Sequence, residues 1–179
     1  SFLAEVAQMK QKNLAAELLR KLIADQVRAY RRKSVVLADK FSEMLQKSVN
    51  AYLNGMLTNA EVIQQLLDMA KEIMAARQEG KTLGLDDEEL AFYDALTKPQ
   101  AIKDFYENDE LVAITRELTD TLRKNRTIDW QKKEDARARM RFAIKRLLKR
   151  HKYPPDEVPE AIETVMQQCE LWVDHGEGN

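Results

Sequence analysis

Apolar residues recur along this chain at intervals of three and four, the spacing that gathers them on one face of an α-helix, and nowhere do they alternate as strand residues do. Phe2, Val6 and Met9 stand at such intervals and Leu14, Leu18 and Leu22 repeat every four residues, so the first third is predicted to be helical. After the Arg31-Arg32-Lys33 cluster the stripe resumes with Leu37, Phe41, Leu45, Val49, Tyr52 and Met56, and a turn is placed at Gly55-Met56-Leu57. Thr58 to Glu61 fits a capping box, in which hydroxyl and carboxylate satisfy each other's backbone donors, with Leu57 and Val62 as its hydrophobic staple. The helix that begins at Asn59 has an inner face of Ile63, Leu66, Leu67, Ala70, Ile73 and Met74 and is expected to stop at Gly80.

A loop to Leu85 follows, then a second box over Asp86 to Glu89 and a short helix carrying Leu90, Tyr93 and Leu96 as far as Pro99. Asn108 is the expected cap of the next helix, whose inner face is Leu111, Ile114, Thr115, Leu118 and Leu122. From Thr127 to Pro155 the chain reads as one helix, capped by Asp129, stopped by Tyr153-Pro154-Pro155, and lined inside by Ala136, Met140, Ala143, Ile144, Leu147 and Leu148. A last helix starting near Asp156 or Pro159 carries Ile162, Val165, Met166, Cys169, Trp172 and Val173. The predicted fold is all-α: a compact multi-helix bundle of about seven to eight helices with no sheet. Residues 1–174 are expected to form a single helical domain and residues 175–179 a frayed tail.

Composition agrees with this pattern. Among 179 residues, 44% are hydrophobic and 33% charged, and five glycines and four prolines leave few helix breakers. A chain of this length buries a sizeable core without disulfides or metal. The single cysteine, Cys169, cannot form an internal bridge, which suits a reducing compartment, and the cytoplasm is the expected location. No apolar run is long enough to span a bilayer, so no membrane association is expected. The start at Ser1-Phe2-Leu3 has neither an initiator methionine nor a signal-peptide pattern and reads as the cut end of a longer polypeptide.

Charge is sorted into blocks although the whole chain carries only −1: +5 over residues 1–57, −9 over 58–122, +10 over 123–152 and −7 over 153–179. Basic helices are therefore expected to lie beside acidic ones. Within the most basic block, Arg137, Arg141, Lys145 and Lys149 repeat every four residues as a ridge, flanked by Arg139, Arg146 and Arg150. Such a ridge suits DNA phosphates, which are bound through charge without sequence reading; pairing with the acidic blocks and ordinary solvation is the other account.

Other candidate chemistry is weaker. Residues 75–82, ending Gly80-Lys81-Thr82, formally match a relaxed phosphate loop, but a helix precedes them and no helix follows at once, so backbone donors do not converge on an anion. Asp86-Asp87-Glu88-Glu89 is better placed to complement a helix N-terminus than to hold a cation, because successive helical residues diverge. His151 and His175 lack metal-ligand spacing, no nucleophile elbow occurs, and Cys169 falls on an apolar face. Trp130 and Trp172 stand near apolar stripes and read as core anchors rather than base-stacking platforms.

Several segments, in order along nearly the whole chain, resemble the C-terminal helical domain of the restriction (R) subunit of type I restriction-modification enzymes. They are Asn13 to Leu22, Phe41 to Leu45, Leu83-Gly-Leu-Asp-Asp-Glu-Glu-Leu-Ala-Phe-Tyr-Asp-Ala-Leu96, and the block from Thr127-Ile-Asp-Trp130 through Lys145-Arg-Leu-Leu148 to Tyr153-Pro-Pro155. The resemblance implies a parent that translocates DNA using ATP and cleaves it, with its nuclease and motor domains elsewhere. It implies that this segment is a non-catalytic assembly domain docking onto the methyltransferase and specificity subunits, with no cofactor of its own. ATP and magnesium are expected only in the parent's other domains, and no catalytic residue carries over. The alternative is a DNA-contacting module that binds phosphates through the basic helix 130–152, by way of Arg137, Arg141, Lys145 and Lys149.

Overall fold

The computed structural model describes residues 12–174, which form eight α-helices and two 3₁₀ turns with no strand among them, as the apolar periodicity predicts. The helices are α1 (Lys12–Arg31), α2 (Val35–Leu53), α3 (Asn59–Thr82), α4 (Asp87–Leu96), α5 (Gln100–Phe105), α6 (Asn108–Asn125), α7 (Glu134–Arg150) and α8 (Val158–Asp174). The 3₁₀ turns, Trp130–Lys132 and Pro155–Glu157, precede α7 and α8. Phe2, Val6, Met9 and the tail from His175 lie outside the described residues, as do the side chains of Ala70 and Val173.

The chain divides into two compact units, one built from the residues up to Arg31 with 37–81, the other from 32–36 with the residues from Thr82 onward. In the first, Leu37, Phe41, Leu45, Val49 and Tyr52 of α2 meet Val62, Ile63, Leu66 and Met69 of α3. Helix α1 contributes Ile23, Val27 and Tyr30 to this core, whereas Leu14 is 47% exposed and Leu22 is also exposed. Among the described side chains of α1, those packed on this core are spaced three and four apart near its C-terminal end, a phase that the leucine repeat obscured. Met56 is 74% exposed because the helical phase ends before it. Gly55 turns left-handed at φ 78°, its N–H bonds the Tyr52 carbonyl at 3.1 Å, and the Met56 N–H bonds the Ala51 carbonyl at 2.8 Å. This pair of bonds is the Schellman closure, which favours glycine at the left-handed position. The Thr58 capping box forms as expected, with Glu61 N–H donating to the Thr58 hydroxyl at 3.2 Å and Thr58 N–H to the Glu61 carboxylate at 3.0 Å.

Three boundaries differ from the sequence reading. Gly80 does not end its helix: α3 continues to Thr82 with Gly80 buried, and Gly84, at φ 75°, makes the left-handed break. Asn108 is the first residue of α6 rather than its cap; Glu107 caps instead, its N–H bonding the Glu110 carboxylate at 3.2 Å. Asp129 does not open the basic helix, because its own backbone is left-handed at φ 58° and leads into the 3₁₀ turn. That reversal leaves Trp130 buried, and α7 begins only at Glu134.

The second unit packs Phe92 and Leu96 of α4, Leu111, Leu118 and Leu122 of α6, Met140 and Ile144 of α7, and Val165, Met166 and Trp172 of α8 in one core with Trp130. Residues 32–36 are tied to α8. Val35 N–H donates to the Gln168 side-chain oxygen at 2.7 Å, while Gln168 Nε2 and Trp172 Nε1 both donate to the Arg32 carbonyl, at 3.0 and 2.6 Å. Ser34 adds a hydrogen bond to Asp94 at 3.0 Å, and Trp172 meets Phe92 edge to face with ring centres 5.2 Å apart. The apolar face of α8 is set by residues three and four apart, which place Trp172 and Gln168 side by side.

At the end of α7 the chain closes in a second Schellman motif: Lys152 N–H bonds the Lys149 carbonyl at 3.0 Å and Tyr153 N–H the Leu148 carbonyl at 2.9 Å. The left-handed residue here is Lys152, at φ 60°, not glycine. A side chain in that conformation costs about 1 kcal/mol or slightly more. Lys152→Gly is therefore expected to raise stability by about 1 kcal/mol, read as an increased urea midpoint at unchanged slope. Tyr153 then turns inward, where its hydroxyl donates to the Leu96 carbonyl at 2.7 Å. Burial pushes its phenol pKa well above the ordinary value.

Candidate functional site

The acidic and basic blocks meet largely through arginine. Arg123 bonds Glu88 at 2.8 Å and approaches Asp86 at 3.4 Å, while Arg126 reaches Glu88 at 3.1 Å. Asp86 and Glu89 also build the capping box of α4, with bonds of 2.7 and 3.0 Å, and Glu89 lies 3.6 Å from Arg116. Asp86, Glu88 and Glu89 of the acidic run are thus occupied by helix capping and ion pairing. Among the described residues no three His, Cys, Asp or Glu side chains gather as ligands for a metal.

The four-residue ridge of α7 is divided between two environments. Arg137 pairs with Glu170 and Arg141 with Glu163, both on α8. Lys145 and Lys149 are exposed, and their ammonium groups have no partner among the described residues. Helical geometry explains the split: four residues overshoot one turn by about 40°, so a ridge of this spacing winds from the α8 flank toward solvent. Exposed ion pairs of this sort contribute about 0–1 kcal/mol each, so they neutralise charge more than they stabilise the fold.

The other flank of α7 faces α6. Here Ala138, Phe142, Ala143 and Leu147 form an apolar surface, bordered by Arg139, Arg146 and Arg150, with Thr121 and Asn125 opposite on α6. Phe142 is 61% exposed, an unusual position for a phenyl ring on a helix that buries Met140, Ile144, Leu147 and Leu148. Arg150 pairs with Glu117, whose other oxygen lies 2.6 Å from His151 Nε2. Burial and the adjacent Arg150 guanidinium lower the His151 pKa, favouring the neutral ring. Sequence reasoning missed this groove. Its signal was Phe142, an aromatic residue off the inner stripe and among arginines.

The remaining candidates are structural. Gly80-Lys81-Thr82 is the last turn of α3, with its amides committed to helix rather than to a loop. Trp130 and Trp172 are core residues. Cys169 is fully buried and its thiol is pushed up to about 12 by that burial, which keeps it protonated and inert. No helix among the described residues is long and apolar enough to cross a membrane.

With these surfaces defined, comparison with known proteins decides the family. The family described as type I restriction enzyme HindI endonuclease subunit-like, C-terminal, matches residues 1–175. The chain belongs to this family. It is 38% identical over 169 residues to the type I restriction enzyme HindI endonuclease subunit of Haemophilus influenzae, covering 94% of the chain and 16% of that protein. It is 34% identical over 148 residues to the candidate type I restriction enzyme MjaIXP endonuclease subunit of Methanocaldococcus jannaschii, covering 82% of the chain and 14% of that protein. No solved structure matches the chain. The resemblance seen in the Leu83 to Leu96 and Thr127 to Pro155 segments therefore identified the family, a C-terminal region of type I restriction endonuclease subunits.

Proposed function

We propose that this chain is a non-catalytic assembly domain that docks an endonuclease subunit onto the methyltransferase and specificity subunits of a type I restriction complex. In this reading it takes no cofactor, and ATP and magnesium act in other parts of the subunit. The observation that carries the proposal is where its acids are spent. Asp86, Glu88, Glu89, Glu117, Glu163 and Glu170 cap helices or pair with arginines and histidine, which favours a scaffold over a carboxylate active site. Family membership supports it, since a C-terminal region of a multi-subunit enzyme is a natural place for assembly contacts. Mixed with the purified methyltransferase and specificity complex on a sizing column, the folded chain is expected to co-elute. Separate elution of a chain that is helical by circular dichroism contradicts the reading.

A second reading is favoured by Lys145 and Lys149, whose charges are left to solvent on α7. In it, the ridge Arg137, Arg141, Lys145 and Lys149 contacts DNA phosphates. Each phosphate contact adds about 0.9 to the slope of log affinity against log salt. Replacing all four residues by alanine is expected to flatten that slope, with Lys145 and Lys149 responsible for most of the change because the two arginines are paired. A slope unaltered by the four substitutions removes DNA contact by this ridge.

A further inference from the structure

We infer that the groove between α6 and α7 seats an acidic, apolar-faced helical segment of a partner subunit; this rests on the docking reading and gives it a surface. The groove has a volume of about 660 Å³. Leu147 is buried at its base and Ala143 is half-buried, while Ala138 and Phe142 are exposed along it, Phe142 with 61% of its surface open. Three arginines line it, and no lysine or carboxylate does. Arg150 is held by Glu117, whereas the guanidinium groups of Arg139 and Arg146 have no partner among the described residues.

A comparable groove in the first unit, between α1 and α2, has a volume of about 500 Å³ and is also lined by three arginines. There the charge is already spent, with Arg20 on Glu17, Arg28 on Asp25 and Arg31 on Asp39. The α6–α7 groove differs in holding both an open aromatic ring and two uncompensated arginines. An occupant must therefore bring apolar side chains to cover Phe142 and the two alanines, and carboxylates to meet Arg139 and Arg146. An amphipathic helix with acids along its margins supplies both, by the helix-in-groove mode. Arginine with aromatic residues, and few lysines, is also the composition of protein interfaces. A phosphate backbone brings the negative charge without the apolar face.

The test is affinity of the full chain for the purified methyltransferase and specificity complex, compared between wild type, Phe142→Ala, and the double variants Arg139→Glu/Arg146→Glu and Arg139→Gln/Arg146→Gln. All three sites are at the surface, and circular dichroism melts check that each variant folds. Each groove variant is expected to weaken binding about tenfold or more, charge reversal most strongly, while Arg20→Glu/Arg28→Glu in the other groove leaves it unchanged. Unchanged affinity in all folded groove variants, with wild type binding, overturns the assignment and leaves docking in place. Absence of wild-type binding overturns both. Loss of duplex DNA binding in the same variants, with binding to the complex unaltered, assigns the groove to DNA and overturns it as a protein seat.

Discussion

Trp172→Ala is expected to destabilise the protein by about 3–5 kcal/mol, the range for removing a buried tryptophan and leaving a cavity. Several interactions meet at this residue. Its ring packs edge to face on Phe92, and its indole N–H donates to the Arg32 carbonyl at 2.6 Å beside the Gln168 contact with the same carbonyl. Alanine removes the ring contact and one donor together. The conservative change Trp172→Phe keeps most of the volume but loses the donor; Gln168 still satisfies the carbonyl, so a loss nearer 1 kcal/mol is expected. Urea unfolding measures both. A Trp172→Ala cost under about 1 kcal/mol contradicts the view that α8 secures residues 32–36 through this side chain.

Phe41→Ala is expected to cost a similar 3–5 kcal/mol in the first unit. Phe41 is buried on α2 among Leu37, Leu45 and residues of α3, so truncation opens a cavity in the core that α2 and α3 share. Phe41→Leu keeps more of the volume and is expected to cost less than about 1.5 kcal/mol. Hydrogen exchange locates the effect: amides of α2 and α3 should lose protection in Phe41→Ala. Unchanged protection there, in a variant that is otherwise folded, contradicts the packing described for this unit.

How far the sequence was legible depends on whether a feature repeats. Helical class was readable because stripes such as Leu111, Ile114, Leu118 and Leu122 persist over several turns, and all four are buried. The boxes at Thr58 and Asp86 were readable because their chemistry is local and needs residues only three apart. Boundaries set by tertiary demand were not. Asp129 has the composition of a cap, yet the chain turns left-handed there and places Trp130 in the core. Lys152 occupies a position usually given to glycine, and no local pattern announces it.

The basic ridge shows the same limit for function. Spacing placed Arg137, Arg141, Lys145 and Lys149 on one winding line, but only the position of α8 decides that Glu170 and Glu163 take the first two. The arginine-bordered groove was hidden for another reason. It needs Thr121 and Asn125 from α6 opposite Phe142 of α7, residues far apart in the chain whose types carry no signal by themselves.

The central claim, that this chain holds subunits together while chemistry occurs elsewhere, is tested most directly by competition. Increasing amounts of the folded chain are titrated into a DNA cleavage reaction catalysed by the assembled restriction complex that contains the intact endonuclease subunit. If the chain occupies the dock, cleavage should fall as the free chain displaces the intact subunit, and restoring excess intact subunit should recover it. Undiminished cleavage at large excess of folded chain contradicts the account.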